Sequence, residues 1–217
     1  EKSVLIFGGG YDLSQDSVTT RTADDKGDGI YIVDANTGGV LMSKTDLGYS
    51  IPSDVKTIDI DGDGTTDQIY VGDMGGRVLR TDLDGGKTLK VDVIADIASS
   101  GQSNNRRFYH APDVSVLENT GGSQLAVAIG SGYHAHPNNT QIQDNFYMFK
   151  QPLAKEISPT KITNSDILPA TLTIDNELLA AKKGWYLPLN SGGEKVLASS
   201  LTFESAVWFT TFQPSIG

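Results

Sequence analysis

The chain has 217 residues, with 24 Gly, 8 Pro, no Cys, and 17 basic against 27 acidic side chains, for a net charge of −10. The acidity argues against a nucleic-acid partner, which needs clustered Lys and Arg. The absence of Cys excludes disulfides and thiol chemistry, and no apolar run approaches the ~20 residues of a membrane span. Glycine stands above the usual ~7%. Inside helices each one would cost roughly 0.5–1 kcal/mol, so many short strands and tight turns fit better. A hydrophobic content of 38% suffices for one large all-β domain, expected over residues 1–217. No signal peptide is expected, because Glu1-Lys2-Ser3-Val4 leads directly into a strand-like run. The start therefore reads as mature protein or an excised domain.

In chain order, Val4-Leu5-Ile6-Phe7 is an apolar run stopped by Gly8-Gly9-Gly10, the pattern of a buried strand ending in a turn. After a polar stretch with acids at Asp24, Asp25 and Asp28 come two strands, Gly29 to Asp34 and Val40-Leu41-Met42, joined at Asn36-Thr37-Gly38-Gly39. Val55 to Ile60 alternates in period two. An acidic loop separates it from strands at Gln68 to Asp73 and Arg77 to Leu83. Ile30-Tyr31-Ile32-Val33-Asp34 and Ile69-Tyr70-Val71-Gly72-Asp73 both read Ile-Tyr-apolar-x-Asp before a glycine turn and Val-Leu, 69 − 30 = 39 residues apart. A weaker echo links Val4 to Tyr11 with Val127 to Tyr133. A period near 40 with short strands predicts a modified β-propeller with blades of about four strands, against the alternative of a β-sandwich.

Residues 150–184 break that rhythm and are expected to form a rim insertion. Gln151-Pro152 and Ser158-Pro159 read as turns. Asp175 to Gly184 reads as a short helix: acids first, lysines last, glycine as the stop. Strands resume at Trp185-Tyr186-Leu187, Val196-Leu197-Ala198 and Ala206 to Phe209.

The sharpest chemical signal is Asp59-Ile60-Asp61-Gly62-Asp63-Gly64-Thr65-Thr66-Asp67, which reads D-x-D-x-D-G-x-x-D. Acids at the first, third and fifth positions aim three carboxylates at one point, and the sixth-position glycine permits a sharp turn. That suits Ca²⁺, a hard cation taking six to eight oxygens at roughly 2.3–2.6 Å. The expected ligands are Asp59, Asp61, Asp63, the backbone carbonyl of Thr65, and a bidentate Asp67. An EF-hand proper needs a twelfth-position Glu and flanking helices. Tyr70 stands at the twelfth position here, and both flanks are strands. A solvated acidic turn is the bland alternative, but the spacing favours calcium over it and over Mg²⁺.

Three stretches together carry a resemblance. They are the acidic loop running on through Ile69 to Leu83, Asn105-Arg106-Arg107-Phe108-Tyr109-His110-Ala111-Pro112-Asp113-Val114, and Ala128 to Pro137 continuing to Asp144 to Met148. They resemble the C-terminal domain of the PilC/PilY family of type IV pilus proteins, clearly over residues 3–150 and loosely beyond. The resemblance implies a quinoprotein-like propeller at the pilus tip, reached through the periplasm and outer membrane. It implies work in pilus assembly, extension and retraction, twitching motility and surface attachment. Minor pilins would be partners, and host or abiotic surfaces further ones. The family's calcium ligands carry over onto Asp59, Asp61, Asp63, Thr65 and Asp67. The large N-terminal region is missing, and the chain stops where further strands and cysteines are expected, which predicts an incomplete ring.

No catalysis is expected. The rival readings are a quinoprotein-type enzyme holding a redox cofactor at the channel, and a purely structural calcium-stabilised scaffold. Other residues have weaker claims. His134 and His136 could make a zinc pair, but no third ligand lies at motif spacing. Asp24, Asp25 and Asp28 fit no ligand template. Arg106 and Arg107 are expected to pair with acids at the rim while Phe108 and Tyr109 enter the core. Trp185, Tyr186, Trp208 and Phe209 are expected in strand packing rather than on an exposed platform.

Overall fold

A computed structural model describes residues 2–83, 85–86, 88–119, 122–155, 160–170 and 176–214. The first sheet is an antiparallel meander of β1 (Val4–Gly8), β2 (Ile30–Asp34) and β3 (Val40–Lys44). The second is a four-stranded meander of β4 (Lys56–Ile58), β5 (Gln68–Gly72), β6 (Arg77–Asp82) and β7 (Val91–Asp96). The third uses β8 (Asp113–Asn119), β9 (Gly122–Gly130), β10 (Asn145–Pro152), β11 (Leu168–Pro169) and β12 (Gly184–Pro188), in the order β11-β12-β10-β9-β8. Two ribbons follow. One pairs β13 (Lys195–Val196) with β16 (Thr211–Phe212), the other β14 (Leu201–Phe203) with β15 (Ala206–Trp208). The one α-helix among the described residues, α1, spans Asn176–Ala181.

Period-two alternation explains how the sheets stack. Ile69 and Val71 on β5 join Ile30, Ile32 and Ile51 in an apolar cluster shared with the first sheet. Their neighbour Tyr70 points the other way, into a cluster with Val78, Phe108, Leu125, Val127, Ile129 and Phe149 that is shared with the third sheet. A third cluster, of Ala128, Phe146, Leu189 and Val196, joins the third sheet to the ribbons. Sheets covered on both faces need apolar residues at successive positions, and all five residues of β5 are buried. This is the all-β, propeller-like arrangement that the 39-residue period predicts.

The repeat maps onto equivalent places: β2 and β5 are the second strands of consecutive sheets. Its aspartate does the same job in both. Asp34 accepts the amides of Asn36 and Thr37 at 2.9 and 3.1 Å, and Asp73 those of Gly75 and Arg77 at 3.0 and 2.9 Å. Each closes its turn as an Asx cap. The weaker echo matches β1 beside β2 with β9 beside β10, both antiparallel pairs.

Several boundaries differ from expectation. Asp59 and Ile60 belong to the loop, not to β4: the Ile60 amide donates to the Asp67 carboxylate and the Asp59 side chain accepts the amides of Gly62 and Gly64. Gln151-Pro152 is not a turn: β10 runs through it, with Pro152 opposite Gln124 as the last residue, a place where a missing amide does little harm. Of the strand expected at Val196-Leu197-Ala198 only Val196 is formed, in β13 (Lys195–Val196). Within 150–184, Ile162 bridges to Ala95 on β7, and β11 lies parallel to β12. Ser158, Pro159 and Asp175 lie outside the described residues.

Candidate metal centre

The acidic loop joins β4 to β5, an antiparallel pair in which Ile58 stands opposite Gln68. The Asp67 amide donates to the Ile58 carbonyl at 3.0 Å and closes the base. Above it the carboxylates organise their own backbone. Asp59 accepts from Gly62 at 2.7 Å and from Gly64 at 2.8 Å. The second of these ties the first loop position to the sixth. Gly64 has φ of +86°, which a residue with a Cβ would adopt only at a cost. Asp67 is buried and accepts the Ile60 amide at 2.7 Å. Asp59 and Asp61 are exposed.

One oxygen from each of Asp59, Asp61 and Asp67 lies within 4.8 Å of the others. Asp63 stands apart, accepting the Thr65 hydroxyl at 2.6 Å and the Thr65 amide at 2.8 Å. Of the four expected carboxylates the fold thus gathers three, and turns Asp63 and the Thr65 hydroxyl and amide onto each other. An additional cation faces the cluster. The Lys155 ammonium lies 2.5 Å from Asp61 Oδ2 and 2.8 Å from Asp67 Oδ1. Burial alone would raise the Asp67 carboxyl, but Lys155 and the Ile60 amide outweigh it and hold it below the usual range. The hydroxyl and then the amide of Thr65 do the same for Asp63. A hard, all-oxygen donor set that already holds a positive group fits a divalent cation. Asp59, Asp61 and Asp67 would hold it.

Lys155 was not legible as part of this site, since it follows β10 in the third sheet and belongs to no motif. Beside the loop's outer turn, a cleft of about 740 Å³ runs between Ile6, Ile32 and Met42 on one side and Thr65, Leu83 and Leu89 on the other. Among its described lining residues only Lys2 and Asp82 ionise.

The other candidates resolve differently. His134 stacks on Tyr109 at 4.2 Å and lies 4.9 Å from His110. Burial and then the nearby His110 lower its pKa to about 4. His136 Nε2 instead meets the Asp16 carbonyl at 2.7 Å. The two imidazoles therefore serve separate contacts, in line with the weak claim of a zinc pair. Asp24 accepts the Ser50 amide at 2.7 Å and Asp28 the Gly48 amide at 2.9 Å, so these acids brace the first sheet's loops.

Arg106 and Arg107 are buried, not at a rim, and their hydrogen bonds go to neutral acceptors. Arg106 donates to the Tyr147 hydroxyl and the Ser103 carbonyl. Arg107 donates to Gln15 Oε1 and the Val18 carbonyl, and its guanidinium lies 3.9 Å from the Tyr133 ring centre. Phe108 is fully buried as expected. Phe209 stacks on Phe146 at 3.9 Å and Tyr186 packs on the main core, but Trp208 is 64% exposed.

Near these arginines Asp144 is buried, with Oδ1 accepting the Ser131 hydroxyl at 2.7 Å. Burial pushes its carboxyl up to about 6, against the Ser131 hydrogen bond and the charges of Arg106, Lys195 and Arg107. An unfolded Asp titrates near 3.9, so folding takes up a proton between about pH 4 and about pH 6, and Asp144's contribution falls as pH rises through that window. The low-lying acids, Asp67 among them, act in the opposite sense, so the comparison must be with a variant. Relative to Asp144→Asn, the native chain is expected to lose on the order of 2 kcal/mol between about pH 4 and about pH 7. Urea unfolding of both proteins across that range checks it; parallel profiles would contradict it.

These features define a class: an all-β, propeller-like domain whose acidic hairpin loop is suited to a hard cation. Comparison with known proteins returns the same family that the sequence resembles. The chain is 23% identical, over 255 aligned positions, to a "Type IV pilus biogenesis factor PilY1 homolog" of Xylella fastidiosa (strain Temecula1 / ATCC 700964). That alignment covers 97% of the chain but 16% of the relative. In three dimensions the chain matches the crystal structure of the Pseudomonas aeruginosa PilY1 C-terminal domain with a TM-score of 0.67 at 17% identity, over 86% of this chain and 50% of that one. No protein-family model matches the chain. The chain thus has the fold of a PilY1 C-terminal domain and spans half of the solved example.

Proposed function

We propose that this chain is the calcium-binding, propeller-like part of a type IV pilus biogenesis factor, a single non-enzymatic domain acting at the cell surface near the pilus tip. The observation that carries the reading is the fold match to the PilY1 C-terminal domain. The acidic loop adds a second, chemical argument. One Ca²⁺ among Asp59, Asp61 and Asp67 would reduce three mutually repelling carboxylates to a net −1 and fasten β4 to β5. With free calcium at ~100 times the dissociation constant, the linkage stabilises the fold by about 2.7 kcal/mol. Asp63 and the Thr65 carbonyl would complete the shell once Asp63 exchanges Thr65 for the ion. In this reading occupancy sets the loop's position, and with it the contact to minor pilins and the balance between extension and retraction.

The test uses the full-length protein in its own host. Deleting this domain is expected to abolish surface pili and twitching; unchanged pili would overturn the pilus assignment. A full-length Asp59→Ala, Asp67→Ala protein is expected to form pili whose number and twitching no longer respond to calcium. If that variant melts lower yet leaves the calcium response of the pili intact, the ion is a scaffold element and not a switch.

A further inference from the structure

The cation that faces the acidic loop comes from a different sheet. Lys155 follows β10, and its ammonium bridges Asp61 Oδ2 and Asp67 Oδ1 at 2.5 and 2.8 Å. Those two carboxylates belong to the group of three that a divalent ion would use. Oxygen–calcium distances are roughly 2.3–2.6 Å, so an ion bound by Asp61 and Asp67 would claim the place the ammonium holds. Two cations cannot share that point, since their repulsion at such range is large even in a partly wet site.

Lys155's surroundings suit it to leave. Its side chain is 42% exposed, so water can receive the freed charge. Its backbone, by contrast, is fixed to the second sheet. The carbonyls of Ala154 and Lys155 accept from Gln68 Nε2 at 2.7 and 3.1 Å. Both also lie 3.4 Å from Arg80 Nη2. Gln68 is fully buried, and Arg80 is itself locked to Asp82 at 2.6 Å. The side chain is therefore tethered at a high local concentration and is free to swing out without unpicking the sheets.

We propose that Lys155 is a built-in competitor for the metal: its ammonium satisfies Asp61 and Asp67 in the metal-free chain and must be evicted for a divalent cation to bind. Filling the loop is then an exchange of one cation for another. It changes the net charge of the three-carboxylate cluster only from −2 to −1, lowers the apparent affinity in proportion to the fraction of chains in which the lysine is undocked, and releases the partly exposed ammonium of the segment after β10 to solvent. This rests on the reading that the loop binds a divalent ion, and it adds what sets that affinity and which group moves.

The test compares the native chain with Lys155→Met, which keeps the aliphatic stem, and Lys155→Arg, which keeps a charge, by calorimetry with CaCl₂ alone and by melting in chelator. Lys155→Met is expected to bind calcium on the order of tenfold more tightly, and Lys155→Arg to stay near the native value. In chelator Lys155→Met is expected to melt lower than the native chain, because three carboxylates are left unopposed, and to recover this difference fully with calcium. Measurable binding with equal affinity in the native chain and Lys155→Met, or weaker binding in Lys155→Met, would overturn the exchange while leaving the metal site standing. Calcium heat absent from both would remove the metal site and the exchange together. Lys155→Gln serves as the second neutral variant if Lys155→Met does not fold, as judged by circular dichroism.

Discussion

Truncating Phe149 to alanine is expected to cost about 3–5 kcal/mol of stability, the range for a fully enclosed aromatic. Phe149 has no solvent exposure and sits on β10, opposite Val127 on β9 and Gly184 on β12. Its ring lies nearly parallel to that of Tyr147, with centroids 5.8 Å apart. Both belong to the cluster that binds the second sheet to the third. The void cannot close by a local shift, because β10 is paired on both sides and the pairing fixes its backbone. Denaturant unfolding checks this, with Trp208→Ala as the contrast. Trp208 is 64% exposed, and its loss should change stability by no more than about 0.5 kcal/mol. A Phe149→Ala cost below about 1 kcal/mol would mean that the second and third sheets do not share this core.

The second large effect concerns the metal. Asp67→Ala is expected to abolish the calcium-dependent rise in melting temperature, which for a chain of this size should be roughly 5–10 °C at ~100-fold saturation. Asp67 carries more than a ligand's share, because it is the buried member of the three acids and also holds the Ile60 amide at 2.7 Å. Its loss leaves that amide without its acceptor and Lys155 with Asp61 alone, so the metal-free variant should also be weaker by about 1 kcal/mol. Asp63→Ala is expected to act less strongly, since Asp63 is engaged by Thr65 and stands apart from the cluster. Differential scanning calorimetry with calcium and with chelator measures both. An unchanged calcium response in Asp67→Ala would contradict the ligand assignment.

Local chemistry explains what the sequence made legible. The β2 and β5 repeat could be read because each aspartate caps the glycine turn beside it, a contact spanning two residues. The acidic loop could be read because all its carboxylates lie within nine residues and its glycine marks the turn. Groups that meet only through the fold could not be read. Lys155 reaches Asp67 from another sheet. Arg106 and Arg107 look like rim residues by composition, yet Tyr147, Gln15 and the Val18 carbonyl from distant segments, with the nearby Ser103 carbonyl, hold them in the interior. Strand β8 escaped notice for a related reason. Ser115 and Glu118 dilute its pattern, and it is held by seven-residue pairing with β9 rather than by its own periodicity. The same holds for His110, which meets His134 only after folding.

The most direct measurement is a crystal of this chain grown in millimolar calcium, examined for anomalous scattering at the β4–β5 loop. A single peak among the carboxylate oxygens of Asp59, Asp61 and Asp67, with the Lys155 ammonium turned away, is the predicted result. Lys155 still seated between Asp61 and Asp67, with only water beside it, would contradict the account.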